Sequence, residues 1–327
     1  MKAKVLSMLN ENDEFVSGQA LCEELHVSRT AVWKIINQLK EDGYEIESVP
    51  SKGYRIRKRP ARITAEEISS RLQTEWAAHY VNFYESIDST NNEARRLAEK
   101  GAPAGTLVVA EEQVQGKGRR GRSWVTPAGT AIAMSLLLRP DGLLPENAPM
   151  LTLVMGMAVA AACREECGVE VSIKWPNDVV ADGRKICGIL TEMSCEMDYI
   201  NYIVIGIGIN TGIDNFPPEL EDTAVSLHTL TGHRSDRARL IALSMEKFEQ
   251  YYDRFLQTRD FSMLMDEYNS LLAGKGGKVR VLSPGHEFEG VSKGINAAGE
   301  LMVLRGDGTV ENVFAGEVSV RGIYGYV

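Results

Sequence analysis

Gly116-Lys-Gly-Arg-Arg-Gly-Arg-Ser-Trp124 packs four cations, three glycines and no acid into nine residues. It lies between Thr106–Ala110 and Ala131–Leu138, uncharged runs of strand length rich in apolar residues. A basic, glycine-rich loop between strands points to a mixed α/β body that handles an anion. Glycine lets backbone approach a ligand closely. Arginine offers planar forks for phosphate or carboxylate, and Trp124 an apolar ring face. Like charges repel, so such a loop is mobile when empty and orders over an anion. A solvated basic loop or a nucleic-acid patch has the same composition, and the stretch alone does not separate them. No GxxxxGK[ST] phosphate loop occurs.

Further strands and motifs follow on both sides. Lys174-Trp-Pro-Asn-Asp178 closes the run Val171–Trp175. An Asp-Gly turn inside Val180-Ala-Asp-Gly-Arg-Lys-Ile predicts a hairpin, which brings Lys174 and Lys185 to opposite sides of a short connection. Lys185-Ile-Cys-Gly188 opens the next strand, and Ile205-Gly-Ile-Gly-Ile-Asn210 ends the run Tyr202–Ile209 with glycines where backbone must come close to something. Asp88-Ser-Thr-Asn91 either caps a helix over Asn92–Lys100 or presents hydroxyls and an amide to an uncharged polar ligand. Met150–Cys163 reads as a buried helix, Ala238–Phe255 as a long amphipathic one, and Phe261–Leu272 as another. After Gly274 the helices stop. Lys278–Leu282, Glu287–Ile295, Glu300–Leu304 and Thr309–Phe314 are short strands punctuated by Pro284-Gly285, Ala298-Gly299 and Asp307-Gly308, the pattern of a small barrel.

The first 60 residues are different. Ser17–Leu25 and Arg29–Glu41 read as helices joined by His26-Val27-Ser28, with Ser28 as N-cap of the second. Val32, Ile35, Ile36 and Leu39 define its buried face. Thr30, Lys34 and Asn37 point away, with Trp33 on a shoulder, as base-edge and phosphate contacts in a major groove require. Tyr44–Val49 and Pro50–Arg57 form a hairpin whose tip and return strand are basic, a wing able to reach phosphates. A plain helical hairpin for protein contacts is the competing reading.

The 327 residues suit two or three domains, and 44% apolar with 25% charged residues is ordinary globular composition. The uncharged run Met150–Cys163 is shorter than the roughly 20 residues of a membrane span. The N-terminus has no secretory pattern. Cys22, Cys163, Cys167, Cys187 and Cys195 complete no zinc pattern and are expected as reduced, buried thiols. The net charge of −9 is uneven: residues 1–60 carry ten Lys/Arg against nine Asp/Glu. The acidity therefore lies outside the head and does not argue against DNA. Pro60 and the capping box Thr64-Ala65-Glu66-Glu67 suggest a boundary near residue 61.

In this order, Ser89-Thr90-Asn91, Gln113, GKGRRGRSW, KWPND, RKICGIL and IGIGIN resemble the biotin–protein ligases over about residues 80–215. With the head and the tail Phe314-Ala-Gly-Glu-Val-Ser-Val, the whole chain resembles the bifunctional ligase/repressor type. The resemblance implies an α+β protein. Its parts are a winged helix-turn-helix over 1–61, a catalytic domain related to class II aminoacyl-tRNA synthetases over 62–273, and an SH3-like domain over 274–327. It implies ATP-dependent formation of biotinyl-5′-AMP with Mg²⁺, then transfer to a lysine of the biotin carboxyl carrier protein of acetyl-CoA carboxylase.

It also implies operator DNA as a partner, a homodimer when biotinyl-AMP is bound, and a cytoplasmic location. By the same resemblance Ser89, Thr90, Asn91, Gln113, Lys117, Gly118, Arg119 and Lys185 contact biotin. Arg119, Arg120, Arg122, Trp124, Asn177 and Asn210 contact ATP or the adenylate, and Arg119, Lys185, Lys174 and Asp178 serve catalysis. Gly18, Ser28, Arg29, Thr30, Trp33, Lys34, Asn37, Lys52 and Arg55 serve DNA. No resident metal site is implied. Lys117 departs from the arginine typical of the enterobacterial motif, a point charge in place of a fork. Lipoate ligation is disfavoured because the RRxxGGG-type signature is absent. A non-catalytic biotin sensor and a ligase whose head does not bind DNA would each share most of these motifs.

Overall fold

The computed structural model describes residues 1–11, 14–60, 62–124, 126–283, 285–315, 319–322 and 326–327. The chain separates into two compact units, Met1–Gln73 and Thr74–Val327.

The first unit contains α1 (Lys2–Asn10), α2 (Gly18–Leu25), α3 (Arg29–Glu41), β1 (Glu45–Val49), β2 (Gly53–Lys58) and α4 (Ala65–Ser69). Ser17 and Ser28 cap α2 and α3, accepting from the N–H groups of Ala20 and Ala31, contacts worth about 1 kcal/mol each. The apolar stripe of α3 meets Val5, Leu6 and Leu21 in a closed core. β1 and β2 pair antiparallel, and a bridge from Val16 to Tyr54 adds a third short strand to the wing. Gly53, at φ +115°, passes so near the Val16 carbonyl that a Cβ would overlap it. The helix opened by the Thr64 box packs on α1. Its buried Glu67 accepts from the Tyr44 hydroxyl and pairs with Arg71 at 2.5 Å. Ala61, at the expected boundary, lies outside the described residues.

The second unit runs β3 (Tyr80–Ile87), α5 (Thr90–Glu99), β4 (Thr106–Gln113), β5 (Ala131–Leu138), α6 (Met150–Cys167), β6 (Ser172–Lys174), β7 (Asp178–Ala181), β8 (Arg184–Cys195) and β9 (Ile200–Asn210). It continues with α7 (Leu227–Thr231), α8 (Arg237–Thr258), α9 (Met265–Leu271) and β10 (Lys278–Ser283). The last strands are β11 (His286–Ile295), β12 (Leu301–Leu304), β13 (Val310–Val313) and β14 (Ser319–Gly322). Seven strands form one sheet in the order β3-β4-β5-β9-β8-β7-β6, antiparallel except for the β3–β4 pair. Helix α5 packs on β4, β5 and β9 through Ala94, Ala98, Val108, Leu137 and Val204. Helices α6 and α8 pack together, with α6 also against β6 to β9. The C-terminal strands form a second sheet, β13-β12-β11-β10-β14. It joins the larger body where Trp175 Nε1 donates to the Gly299 carbonyl at 3.0 Å and Asn269 brackets the Ile295 backbone.

Several elements differ from the sequence expectation. Helix α5 starts at Thr90, so Thr90 and Asn91 form its first turn. The helix expected over Phe261–Leu272 is confined to α9, because the Phe261 N–H bonds the Ala297 carbonyl and its first residues turn. Pro145–Cys167 is apolar enough by length and composition to cross a membrane, but 72% of its window is buried inside the protein, the mark of a core helix. The thiols are free, but Cys195, at the outer end of β8, is exposed, and Cys22 and Cys167 are half-buried rather than enclosed. Pro284 of the expected turn and Gly316–Val318 of the tail motif lie outside the described residues.

Candidate active site

Strand periodicity decides what the α5 side of the large sheet presents. Gly206 lies opposite Ser135 and Leu190, and Gly208 opposite Ala133 and Gly188. A Cβ on Gly206 would overlap the Asn91 amide, and one on Gly208 the Trp124 indole. The two glycines of the I-G-I-G-I run therefore leave room for two side chains to lie against the sheet. Above them is a cavity that these residues line.

One wall of this cavity is neutral and polar. Gln113 Oε1 accepts from the Thr90 N–H at 2.9 Å and from the Thr90 hydroxyl at 3.0 Å, while its Nε2 donates to Thr126 Oγ1. The Ser135 hydroxyl donates to Asn91 Oδ1 at 2.6 Å and lies 2.8 Å from Thr90 Oγ1. Asn91 Nδ2 donates to Glu192 at 2.7 Å. Ser89, the residue before α5, makes no side-chain cap and lines the cavity with Thr90 and Asn91.

The other wall is cationic. Residues 116–124 close into a small hairpin: the Trp124 N–H bonds the Gly116 carbonyl, the Gly118 N–H the Arg122 carbonyl, and Lys117 bridges Ser123. This brings Lys117, Gly118, Arg119 and Trp124 to the cavity together with Lys185 and Asn177. Lys117 Nζ donates to Asn92 Oδ1 at 2.8 Å, and Arg119 donates to Asn177 Oδ1 at 2.6 Å. Burial pushes the Arg119 guanidinium down from its ordinary value, against the pull of Asp178. Lys185 Nζ pairs with Asp178 Oδ1 at 2.6 Å and stands 5.4 Å from the centre of the Trp124 ring. Trp124 Nε1 is buried with no hydrogen-bond partner among the described residues. An orphaned donor at a cavity wall fits a ligand that brings an acceptor.

A second cavity, about 220 Å³, shares Arg119, Asn177, Ile189 and Leu190 with the first and adds Thr152, Thr191 and Met193. The Arg119–Asn177 pair thus stands between two chambers.

The remaining expected residues lie elsewhere. Asp178 stands behind Lys185 and does not line the first cavity. Lys174, its cross-strand partner, faces a separate cleft toward the C-terminal sheet, and burial pushes its ammonium down to about 8. Arg120 and Arg122 lie in the outer turn of the loop, with Arg120 at φ +59°. Asn210 is buried and donates to the carbonyls of Lys185 and Val225.

In the first unit Arg29, Thr30, Trp33, Lys34 and Lys52 are exposed, while Gly18, Asn37 and Arg55 are half-buried and the exposed Ser28 caps α3. The sequence reading missed Ser135, Thr126, Glu192 and Tyr326. Ser135 had a signal, being the lone polar residue of β5.

Comparison with known proteins follows the same division. The helix-turn-helix family profile matches residues 2–55, that of the Biotin/lipoate A/B protein ligase family residues 83–210, and that of the biotin protein ligase C-terminal domain residues 276–321. The bifunctional ligase/repressor BirA of Bacillus subtilis is 38% identical over 94% of each chain. Its namesake in Escherichia coli is 31% identical over 97% of this chain and 96% of its own. The biotin protein ligase of Aquifex aeolicus, solved with biotin and ATP, superposes with a TM-score of 0.67 at 29% identity, covering 75% of this chain and 99% of its own. The chain belongs to the biotin–protein ligase family.

Proposed function

We propose that this protein is an ATP-dependent biotin–protein ligase that also acts as a biotin-responsive repressor. The observation that carries the reading is the cavity with one neutral, hydrogen-bonding wall and one cationic wall, joined at Arg119 to a second chamber. The neutral wall of Ser89, Thr90, Asn91 and Gln113 suits the uncharged ureido ring of biotin. Lys117, Gly118, Arg119 and Lys185 suit its carboxylate at the other end. The second chamber takes the nucleotide beside Arg119 and Asn177, with Trp124 of the first cavity and Arg120, Arg122 and Asn210 outside both linings completing the adenylate group. Arg120 and Arg122 meet the phosphates as the loop closes, and Asn210 acts by holding the Lys185 backbone.

In the first step a carboxylate oxygen bonds the α-phosphorus of ATP, the bond to the β-phosphate bridging oxygen breaks, and pyrophosphate leaves. Two anions must meet, so the chemistry asks for fixed positive charge, which Arg119 and Lys185 supply. In the second step the acceptor lysine amine attacks the carbonyl carbon of the mixed anhydride, sheds a proton, and AMP leaves. The 116–124 hairpin over the cavity shields the anhydride from water meanwhile.

Among the described residues there is no group of three His, Cys, Asp or Glu side chains able to hold a metal. Asp178 is committed to Lys185 and Tyr326. Mg²⁺ enters with the nucleotide, whose phosphates would hold it.

The divisions 1–61, 62–273 and 274–327 correspond to DNA binding, catalysis and the C-terminal domain, a reading supported by where the three family profiles fall. The partners are the biotin carboxyl carrier protein of acetyl-CoA carboxylase and a palindromic operator, in the cytoplasm. Gly18, Ser28, Arg29, Thr30, Trp33, Lys34, Asn37, Lys52 and Arg55 form the DNA face. One winged helix offers few phosphate contacts, so two heads acting on two half-sites are needed, and biotinyl-AMP supplies the pairing signal by favouring the dimer.

Biotin-dependent ATP–pyrophosphate exchange, followed by transfer of labelled biotin to the carrier protein, tests the ligase. No exchange in the presence of biotin removes it. A mobility-shift titration of operator DNA with and without biotin and ATP tests the repressor.

A further inference from the structure

Tyr326, the penultimate residue, stands within the catalytic cluster. Its hydroxyl donates to Asp178 Oδ2 at 2.5 Å, and the centre of its ring lies 3.2 Å from Lys174 Nζ. The other oxygen of Asp178 is 2.6 Å from Lys185 Nζ and 3.0 Å from Asn177 Nδ2. Asn177 in turn accepts from Arg119. One phenol therefore holds the carboxylate on which Lys185 leans and covers the neighbouring lysine. Lys174 and Asp178 are direct cross-strand partners in β6 and β7, so both groups are presented side by side to the ring.

The carboxylate torsion of an aspartate is soft. With one oxygen tied to Tyr326, the other is held toward Lys185. Burial and the adjoining Asp178 push the phenol above its ordinary range, so it remains a proton donor across the working pH range. Val327, beside Tyr326, is seated against β14: a Cβ on Gly322 would overlap its backbone.

We propose that Tyr326 is a positioning residue for biotin adenylation, its hydroxyl fixing Asp178 so that Lys185 points into the cavity and its ring fixing Lys174 beside them. The inference rests on the ligase reading above.

The variants Tyr326→Phe and Tyr326→Leu in the full chain separate hydroxyl from ring. In biotin-dependent pyrophosphate exchange, Tyr326→Phe lowers kcat at least about tenfold and Tyr326→Leu by more, the size expected when one hydrogen bond to a charged group is lost. The fall in kcat exceeds the rise in the KM for biotin, because the neutral wall that would grip the ureido ring is untouched, and the melting temperature of Tyr326→Phe holds. Wild-type kcat in both variants overturns the proposal. So does a loss in Tyr326→Leu that tracks a lower melting temperature while Tyr326→Phe is unaffected, which would make the tail a structural clasp only.

A second measurement does not depend on activity. After reductive ¹³C-methylation, the Lys174 signal, assigned with Lys174→Arg, is shifted upfield by the ring in wild type and Tyr326→Phe and returns toward the free-lysine position in Tyr326→Leu. An unshifted wild-type signal overturns the geometry. If wild type catalyses no exchange with biotin, the ligase reading fails instead, and the resonance still decides where Tyr326 sits.

Discussion

The wing of the head and the 116–124 hairpin look alike in sequence, since both are short, basic and punctuated by glycine. Their cations are held in opposite ways. In the wing, Glu47 takes Arg55 at 2.9 Å and Arg57 at 2.6 Å, and Lys58 pairs with Glu45 at 3.2 Å. Arg55 and then Arg57 hold the Glu47 carboxyl below its usual range. In the hairpin, Lys117 and Arg119 are held by the neutral amide oxygens of Asn92 and Asn177. Lys117, Arg120 and Arg122 make no ion pair among the described residues. A carboxamide orients a cation without neutralising it, whereas a carboxylate does both. The wing therefore shares the charge of Arg55 and Arg57 with its own Glu47, whereas Lys117 and Arg119 of the hairpin meet amides.

The comparison makes its largest prediction at Lys185, whose loss from the cationic wall should abolish adenylate formation. Lys185→Ala is expected to lower pyrophosphate exchange by at least about 100-fold, and near-normal exchange would make Lys185 a structural residue. Arg119→Gly comes next. Removing the guanidinium between the two chambers should leave adenylate formation detectable but let biotinyl-AMP escape, so that lysines of bystander proteins become labelled. Retention of the intermediate and acceptor selectivity like those of wild type would count against Arg119 as a phosphate contact.

The wing supplies the converse experiment, with a smaller effect. Glu47→Gln keeps the hydrogen-bond acceptor but removes the charge that occupies Arg55 and Arg57. Operator affinity should rise several-fold at low salt, and the salt dependence should steepen by up to about two counterions. Identical salt slopes for the two proteins would mean that the wing does not face DNA.

What could be read in advance follows the range of the forces involved. Local signals carried α3, its Ser28 cap, the Asp182-Gly183 hairpin and most strands of both sheets, because capping, turn chemistry and periodicity act over a few residues. The edge strand β3 was missed because its burial is incomplete and its sequence mixes polar with aromatic residues. Helix α1 was missed for want of a side-chain cap or an acidic first turn. In the site, only part of the compact motifs lines the first cavity: Ser89-Thr90-Asn91, Gln113, Lys117-Gly118-Arg119, Trp124, Asn177 and Lys185 do, and Lys174, Asp178, Arg120, Arg122 and Asn210 do not. Glu192 and Tyr326 were not legible, since their partners Asn91 and Asp178 lie 101 and 148 positions away, and Ser135 showed only as the lone polar residue of β5, its partner Asn91 being 44 positions away. Asn210 shows the reverse case, a motif residue whose amide is spent on backbone carbonyls. Pairings of that kind are set by sheet order and register, which no single segment encodes.

The smallest effect separates two lysines. Lys58 in the wing is exposed beside a carboxylate, whereas Lys174 is half-buried over an aromatic ring. Burial pushes Lys174 down to about 8, only partly opposed by Asp178, while Arg321, Lys185 and Arg122 add to the depression. In the unfolded chain the same group titrates near 10.4. Between about pH 8 and 10.5 the unfolded state therefore binds the extra proton, and stability rises with pH through that window. Below it, the cost of the buried charge is present in full. Urea unfolding of wild type and Lys174→Met across pH 7 to 10.5 isolates the contribution, since other titrations cancel in the difference. The advantage of the methionine variant should be constant up to about pH 8 and shrink above it. Parallel curves over the whole range would mean that Lys174 is hydrated in the folded protein, and the ring of Tyr326 would then no longer explain its environment.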